Sequence, residues 1–394
     1  MPRSDLRAAL TVVPFQALAR DAAFAAAASS DVIRTLSGLG TWLSVSPMEA
    51  TSNLPDDLRR LRYARKVNYV LHGAVGVEQS QLRLSVELNE ADSGRVLWSN
   101  RFDNPQNRMP ALRHTAMSRI IEVVPATIHQ RELDRLTLVP IDAQTAHDLA
   151  LRAFAITMRP VRSRFAQARE LLTLAEERRG ESHHTVAMVK TWWHLMALAQ
   201  GWTGNPEAEI GAAAAAVEDA GLHDPAARAL RAWVVALVHH DLAPTADVLG
   251  QIIDEAPLCS VAWSLKARVL AGQGDAEGAI FHAEQAEMMP VLGPERAWRA
   301  KVMALCCYVA GHHAGAVRWS RTSAAHHSGL AETMRIMAAS LVTLGRLDEA
   351  AKAARQVLSI DPEFSIATWQ RNAMLPEDVL DVFARRLRLA GLPL

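Results

Sequence analysis

The stretch Ala331–Pro362, AETMRIMAASLVTLGRLDEAAKAARQVLSIDP, decides how the longer part of the chain folds. Counted from Ala331 as position 1, Met334, Ala338 and Leu341 fall at positions 4, 8 and 11, and Gly345 at 15. Leu347, Ala350, Ala354 and Val357 follow at 17, 20, 24 and 27, and Pro362 closes the stretch at 32. Apolar residues three and four apart share one helix face, so the pattern predicts two amphipathic helices. Gly345 supplies the tight turn between them, and Asp361-Pro362 stops the second. The small residues at 8 and 20 mark where the two helices approach closely.

This helix-turn-helix resembles a tetratricopeptide repeat, whose period is about 34 residues. A single unit cannot bury its apolar faces, so neighbours are expected. Gly311 and Ala316 lie 34 residues before Gly345 and Ala350, which sets a repeat at Ala297–Ser328 with Ala300, Ala304 and Cys307 at positions 4, 8 and 11. Another spans Ser260–Pro290, carrying Trp263, Ala267, Leu270, Gly274, Ala279, Ala283 and Ala286. Ala227–Pro257 has Val234, Leu237 and Ala246 but no glycine at its turn, and Lys190–Pro225 and Leu149–Gly180 keep mainly the helix-turn-helix length. Pro376–Leu389 reads as a capping helix, with Arg385, Arg386 and Arg388 for a polar outer face.

The amino-terminal part reads differently. Ala9–Val13 is a strand stopped by Pro14, Ala22–Leu39 a helix, Leu43–Val45 a short strand and Pro55–Arg65 a charged amphipathic helix. Val67–Val77 is apolar almost throughout, as a central strand should be. In Leu82–Leu88 the residues Leu82, Leu84, Val86 and Leu88 alternate with Arg83, Ser85 and Glu87, the signature of a half-buried strand. Asp92-Ser93-Gly94 then turns the chain into a hairpin partner at Arg95–Phe102, and a helix at Pro110–Leu136 follows, with Pro125 a candidate kink. The order of these blocks over residues 9–136 resembles the TolB amino-terminal-like domain. In that family an acidic residue usually stands where His72 precedes Gly73, and a Gly-containing loop where this chain has Ala25–Ser30. The family's contacts are therefore not transferred to those positions. The expected fold class is α+β overall: an α/β domain with a mixed sheet over 1–141, an all-α tetratricopeptide-repeat superhelix over 142–374, and the cap over 375–394.

Composition narrows the function. The 42 basic residues equal the 42 acidic ones, and neither side of residue 142 carries the basic excess of a nucleic-acid-binding domain. The apolar run Ala232–Val238 is far shorter than a membrane span, and Pro14 interrupts the only short apolar run near the start. A cytoplasmic protein without membrane or direct nucleic-acid contact is expected. Cys259, Cys306 and Cys307 lack a fourth thiol partner for zinc and read as buried thiols. The pairs His239–His240 and His312–His313 fall at turns two repeats apart, on the order of 30 Å with helices stacked 8–10 Å apart, too far to share a metal. The run Gly272–Gly278 superficially resembles a phosphate loop, but no strand precedes it and Gly274 is the repeat's own turn. No nucleophile elbow, HExxH or paired CxxC is present, so neither catalysis nor a cofactor is expected.

Binding residues are sought on the first helix of each repeat. Positions 4, 8 and 11 face the neighbouring helix, which leaves 2, 5, 9 and 12 as an adjacent stripe. In stacked tetratricopeptide repeats that stripe lines the concave groove. Position 5 is Arg231, Ser264, Lys301 and Arg335 in successive repeats. Arg228 and Trp298 at position 2, Arg268 at 9 and Tyr308 at 12 extend the stripe. The expectation is either a solvated basic face or a groove for an acidic segment or a chain-terminal carboxylate. The resemblance implies a regulatory or scaffold protein in bacterial transcriptional or cyclic-nucleotide signalling. In that family the repeats usually accompany a winged-helix DNA-binding domain or an adenylate or guanylate cyclase domain. With a first strand beginning eight residues in, this chain is expected to lack that effector, as a stand-alone partner or as a truncated regulator.

Overall fold

A computed structural model describes residues 8–39, 42–48, 67–78, 81–105, 108–178, 183–221 and 223–394. The chain divides into two compact units, Met1–Pro140 with Met289–Gly293, and Ile141–Met288 with Pro294–Leu394.

In the first unit the strands are β1 (Ala8–Val12), β2 (Gln16–Ala17), β3 (Leu43–Pro47), β4 (Tyr69–Glu78), β5 (Gln81–Glu90) and β6 (Val96–Pro105). The sheet order is β3-β1-β4-β5-β6, with β2 beside β4. β1 runs parallel to β3 and β4, whereas β4, β5 and β6 form an antiparallel meander, so the sheet is mixed as expected. Alternation in β5 places Leu82, Leu84, Val86 and Leu88 in the core. There they meet Leu10, Val12 and Leu71, and side chains of helices α1 (Ala22–Leu36) and α2 (Met109–Thr137). α2 continues through Pro125. The short β2 was not anticipated, and the helix expected at Pro55–Arg65 lies outside the described residues.

The second unit is all helix: α3 (Ala146–Met158), α4 (Arg162–Glu177), α5 (His183–Gln200), α6 (Pro206–Asp219), α7 (Pro225–His239), α8 (Ala243–Glu255), α9 (Ser260–Gln273), α10 (Ala276–Glu287), α11 (Arg296–Val309), α12 (His313–His326), α13 (Ala331–Thr343), α14 (Leu347–Ile360), α15 (Ile366–Asn372) and α16 (Glu377–Leu389). From α3 to α14 they form successive pairs; α7, α9, α11 and α13 start within two residues of the repeat starts read from Ala331–Pro362, whereas α5 begins seven residues before Lys190 and α3 three before Leu149. The close-approach alanines Ala267, Ala304 and Ala338 are fully buried, as are Ala279, Ala316 and Ala350 on the second helices. Gly274, Gly311 and Gly345 end α9, α11 and α13 with φ of 82°, 74° and 71°, the left-handed turn a Cβ disfavours. In the repeat without that glycine, His240 takes the left-handed position, at φ 50°.

The pairs do not fan out as an open groove. Gln200, at the end of α5, accepts a hydrogen bond from Ala331 N–H at 2.9 Å and donates one to the Gly329 carbonyl. The Trp202 indole N–H donates to the Ile360 carbonyl at 2.9 Å. Trp192 on α5 meets Trp298 on α11 edge to face, with ring centroids 5.0 Å apart. An early repeat thus packs against the last two, and the inner face of the array is drawn shut at that end.

Candidate binding face of the helical array

Glu332 is the centre of the inner face. It sits at position 2 of α13, its side chain only 15% exposed, and keeps its charge because each carboxylate oxygen has a cation. Arg268 Nη1 on α9 donates to Oε1 at 2.7 Å, and Lys301 Nζ on α11 donates to Oε2 at 2.6 Å. Burial alone would raise the Glu332 pKa, but the charges of Arg268, Lys301 and Arg335 hold the carboxyl well below the usual carboxylate range. Burial pulls the Lys301 ammonium down, against the opposing pull of Glu332. Arg335 is buried one turn along α13; it donates to the Ala199 carbonyl at 3.3 Å and lies over the Phe364 ring at 5.4 Å. Burial lowers its pKa, and Glu332 and Asp361 oppose that shift. Two cations from successive repeats therefore share one carboxylate, with the charge of Arg335 adding to the field from one turn along α13. Coulomb attraction strengthens where water is largely displaced, and losing either partner leaves a poorly compensated charge.

The remaining residues of the expected stripe divide. Trp298 is 6% exposed, behind Trp192, and does not face an open groove. Tyr308 is covered by Phe383 and by Arg386, which donates to its hydroxyl at 3.0 Å. Ser264 is fully buried with an unpartnered hydroxyl. Arg228 and Arg231 do not reach the Glu332 cluster and stay partly exposed; Arg228 pairs with Glu255, and Arg231 with Glu218 at 3.0 Å. The picture of a continuous solvated stripe is thus corrected for Trp298, Lys301, Tyr308 and Arg335. Curvature of the array, together with the carboxy-terminal helices, buries them.

Two participants escaped the sequence reading. Glu332 lies inside the opening stretch, on the same stripe as the cations, so a search for opposite charge at position 2 would have found it. Gln200 had no such signal, because its partners are more than 100 residues away.

Elsewhere the chemistry is sparse. An open cleft of about 480 Å³ between α1 and α2 is lined by Phe24, Met109, Met117, Asp31, Arg34 and Arg113. Both arginines pair with Asp31 there. Burial raises the thiol pKa of all three cysteines, that of Cys259 to about 12. Among the described residues no group of three or more His, Cys, Asp or Glu side chains could hold a metal ion, and no helix is long and apolar enough to cross a membrane.

No protein-family model matches the sequence, and no curated protein does. Among solved structures, the APC/C hetero-tetramer Cut9–Hcn1 is similar at 14% identity and a TM-score of 0.45, over 72% of this chain and 51% of that one. The TPR domain of P58(IPK) is similar at 11% identity and a TM-score of 0.24, over 73% of this chain and 70% of that one. This chain spans about half the length of the first. Both scores fall under 0.5, so the repeat architecture rests on the helix pairs of the chain itself.

Proposed function

We propose that the chain is a non-enzymatic scaffold that takes a protein or peptide partner on the inner face of its helical array. One observation carries this reading: Arg268 and Lys301, from successive repeats, each bond one oxygen of the Glu332 carboxylate, with the charge of Arg335 nearby on the third repeat. A face built to hold one carboxylate has the chemistry to take an acidic segment or a chain-terminal carboxylate. Lys301 and Arg335 are committed to the interior, so Arg228 and Arg231 are the accessible cations of the set. By resemblance of residues 9–136 to the TolB amino-terminal-like domain, the setting is a bacterial cytoplasmic regulator in transcriptional or cyclic-nucleotide signalling. Its effector, a winged helix or a cyclase, would be supplied by another chain or by a longer parent chain. The protein would need no cofactor and would touch neither nucleic acid nor membrane directly.

The test is affinity capture from extract of the source cells with the full chain, partners being identified by mass spectrometry. One protein recovered by the wild type and reduced at least tenfold with Arg228→Glu/Arg231→Glu is the expected result. Recovery unaffected by the double variant would remove these cations from the reading, and no reproducible protein would remove the scaffold role itself.

A further inference from the structure

The carboxy-terminal hairpin occupies the part of the inner face that the Glu332 cluster leaves. The Met374 carbonyl presses on Gly272 near the end of α9, where a Cβ would come within 2.8 Å of its oxygen. The Pro376 ring lies 3.4 Å from the place of a Cβ on Gly274. Farther along, the Phe383 ring is 4.2 Å from that of Tyr308 on α11, and Arg386 lies over the Tyr308 ring at 5.6 Å while bonding its hydroxyl. α16 also packs on α13. Residues 374–389 therefore cross the first helices of three successive repeats. A capping helix at the end of an array would touch only the last.

The seated helix shows what the face accepts. Phe383, Arg386 and Leu387, at i, i+3 and i+4, point inward, while Arg385, Arg388 and Leu389 face water. The aromatic ring meets an aromatic ring, the guanidinium meets a phenol face and hydroxyl, and the leucine is fully buried. The hairpin is also a self-contained piece. Ile366 N–H bonds the Pro393 carbonyl at 2.9 Å, which ties its start to its end, and α15 is largely exposed. A terminal piece that closes on itself can leave as one unit, the kind of local opening that precedes global unfolding.

We infer that the face beneath α16 is a docking groove for an amphipathic partner helix, with residues 366–394 as its resident occupant. The partner helix carries an aromatic residue, an arginine and an aliphatic residue at i, i+3 and i+4, and replaces the hairpin. This rests on the scaffold reading of the array and names both the surface and the partner's chemistry.

The probe is a fluorescein-labelled peptide of residues 374–394, titrated by anisotropy against two full-length chains, wild type and Phe383→Ala/Leu387→Ala. The tethered wild-type helix competes with the peptide, so the variant should bind at least tenfold more tightly. Equal binding to both chains, or binding to neither, overturns the groove. A measurement on the unaltered chain guards against misfolding of the variant. By hydrogen exchange, amides of 377–389 should exchange at least tenfold faster than those of 331–343. Equal protection of the two helices overturns the inference, and if capture of a partner persists beside it, the scaffold reading stands without this groove. A wild-type chain that dimerises on concentration by exchanging residues 366–394, read by light scattering, makes the occupant a second copy and overturns the partner helix.

Discussion

Arg231 and Lys301 hold the same position in their repeats, the fifth residue of the first helix, yet they sit in different media. The Arg231 side chain is 37% exposed and pairs with Glu218 at 3.0 Å. The Lys301 side chain is 6% exposed and pairs with Glu332 at 2.6 Å, with Arg268 on the other oxygen. Repeat position fixes the angle at which a side chain leaves its helix, and both leave alike. What stands opposite is set by curvature over more than a hundred residues, which brings Gln200 to Ala331 and Trp192 to Trp298. Solvent screens the first pair and not the second. Identical register therefore goes with unequal energetics.

The largest expected effect tests that inequality directly. Glu332→Ala leaves Arg268 and Lys301 facing each other without a counter-charge and should cost about 3–5 kcal/mol of stability. Glu218→Ala removes the partner of a hydrated arginine and should cost under about 1 kcal/mol. Denaturant unfolding of the full chain followed by tryptophan fluorescence reads both, and equal costs would break the comparison. Gln200→Ala comes next, at about 2 kcal/mol, because it strips bonds from the buried Ala331 N–H and the half-buried Gly329 carbonyl.

Acid gives a gentler handle on the same cluster. Glu332 has a folded pKa below its unfolded value of about 4.3, so the unfolded chain binds the extra proton first. The stability this supplies is complete above about pH 5 and is lost as pH falls toward the folded pKa. The unfolding midpoint should thus drop between pH 5 and pH 3 more steeply in wild type than in Glu332→Gln. Parallel curves would show that Arg268 and Lys301 do not hold the carboxylate ionised.

Local chemistry was legible in the sequence and long-range closure was not. Position 15 glycines, small residues at 8 and 20, and the alternation in Leu82–Leu88 act between neighbours along the chain, and each appears where its spacing places it. The mixed sheet was legible for the same reason, since the hairpin β5–β6 needs only a short turn. Trp298 and Tyr308 mark the limit. Their helical register was readable, but the residues that bury them, Trp192 and Phe383, lie about 100 residues upstream and 75 downstream, and no periodicity links them. The charges of the stripe were likewise readable as a set, whereas the pairing of Arg268 and Lys301 with Glu332 depends on the convergence of three helices.

The smallest prediction carries the contrast between early and late repeats into their turns. His240 and Gly311 close corresponding first helices in the left-handed region, at φ 50° and 74°. An L-residue there costs about 1–2 kcal/mol, which glycine avoids at the expense of about 0.5–1 kcal/mol of backbone entropy. The His240 side chain is exposed, and nothing lies within 4 Å of a Cβ placed on Gly311, so packing contributes little at either site. His240→Gly should then stabilise the array by about 0.5 kcal/mol, and Gly311→Ala should destabilise it by about the same amount or slightly more. Opposite signs in paired denaturant titrations would show that the early repeats are irregular for want of one turn residue. A loss in both would mean that the His240 turn is held by contacts of its own, and the early repeats would then differ from the late ones in packing as well as in exposure.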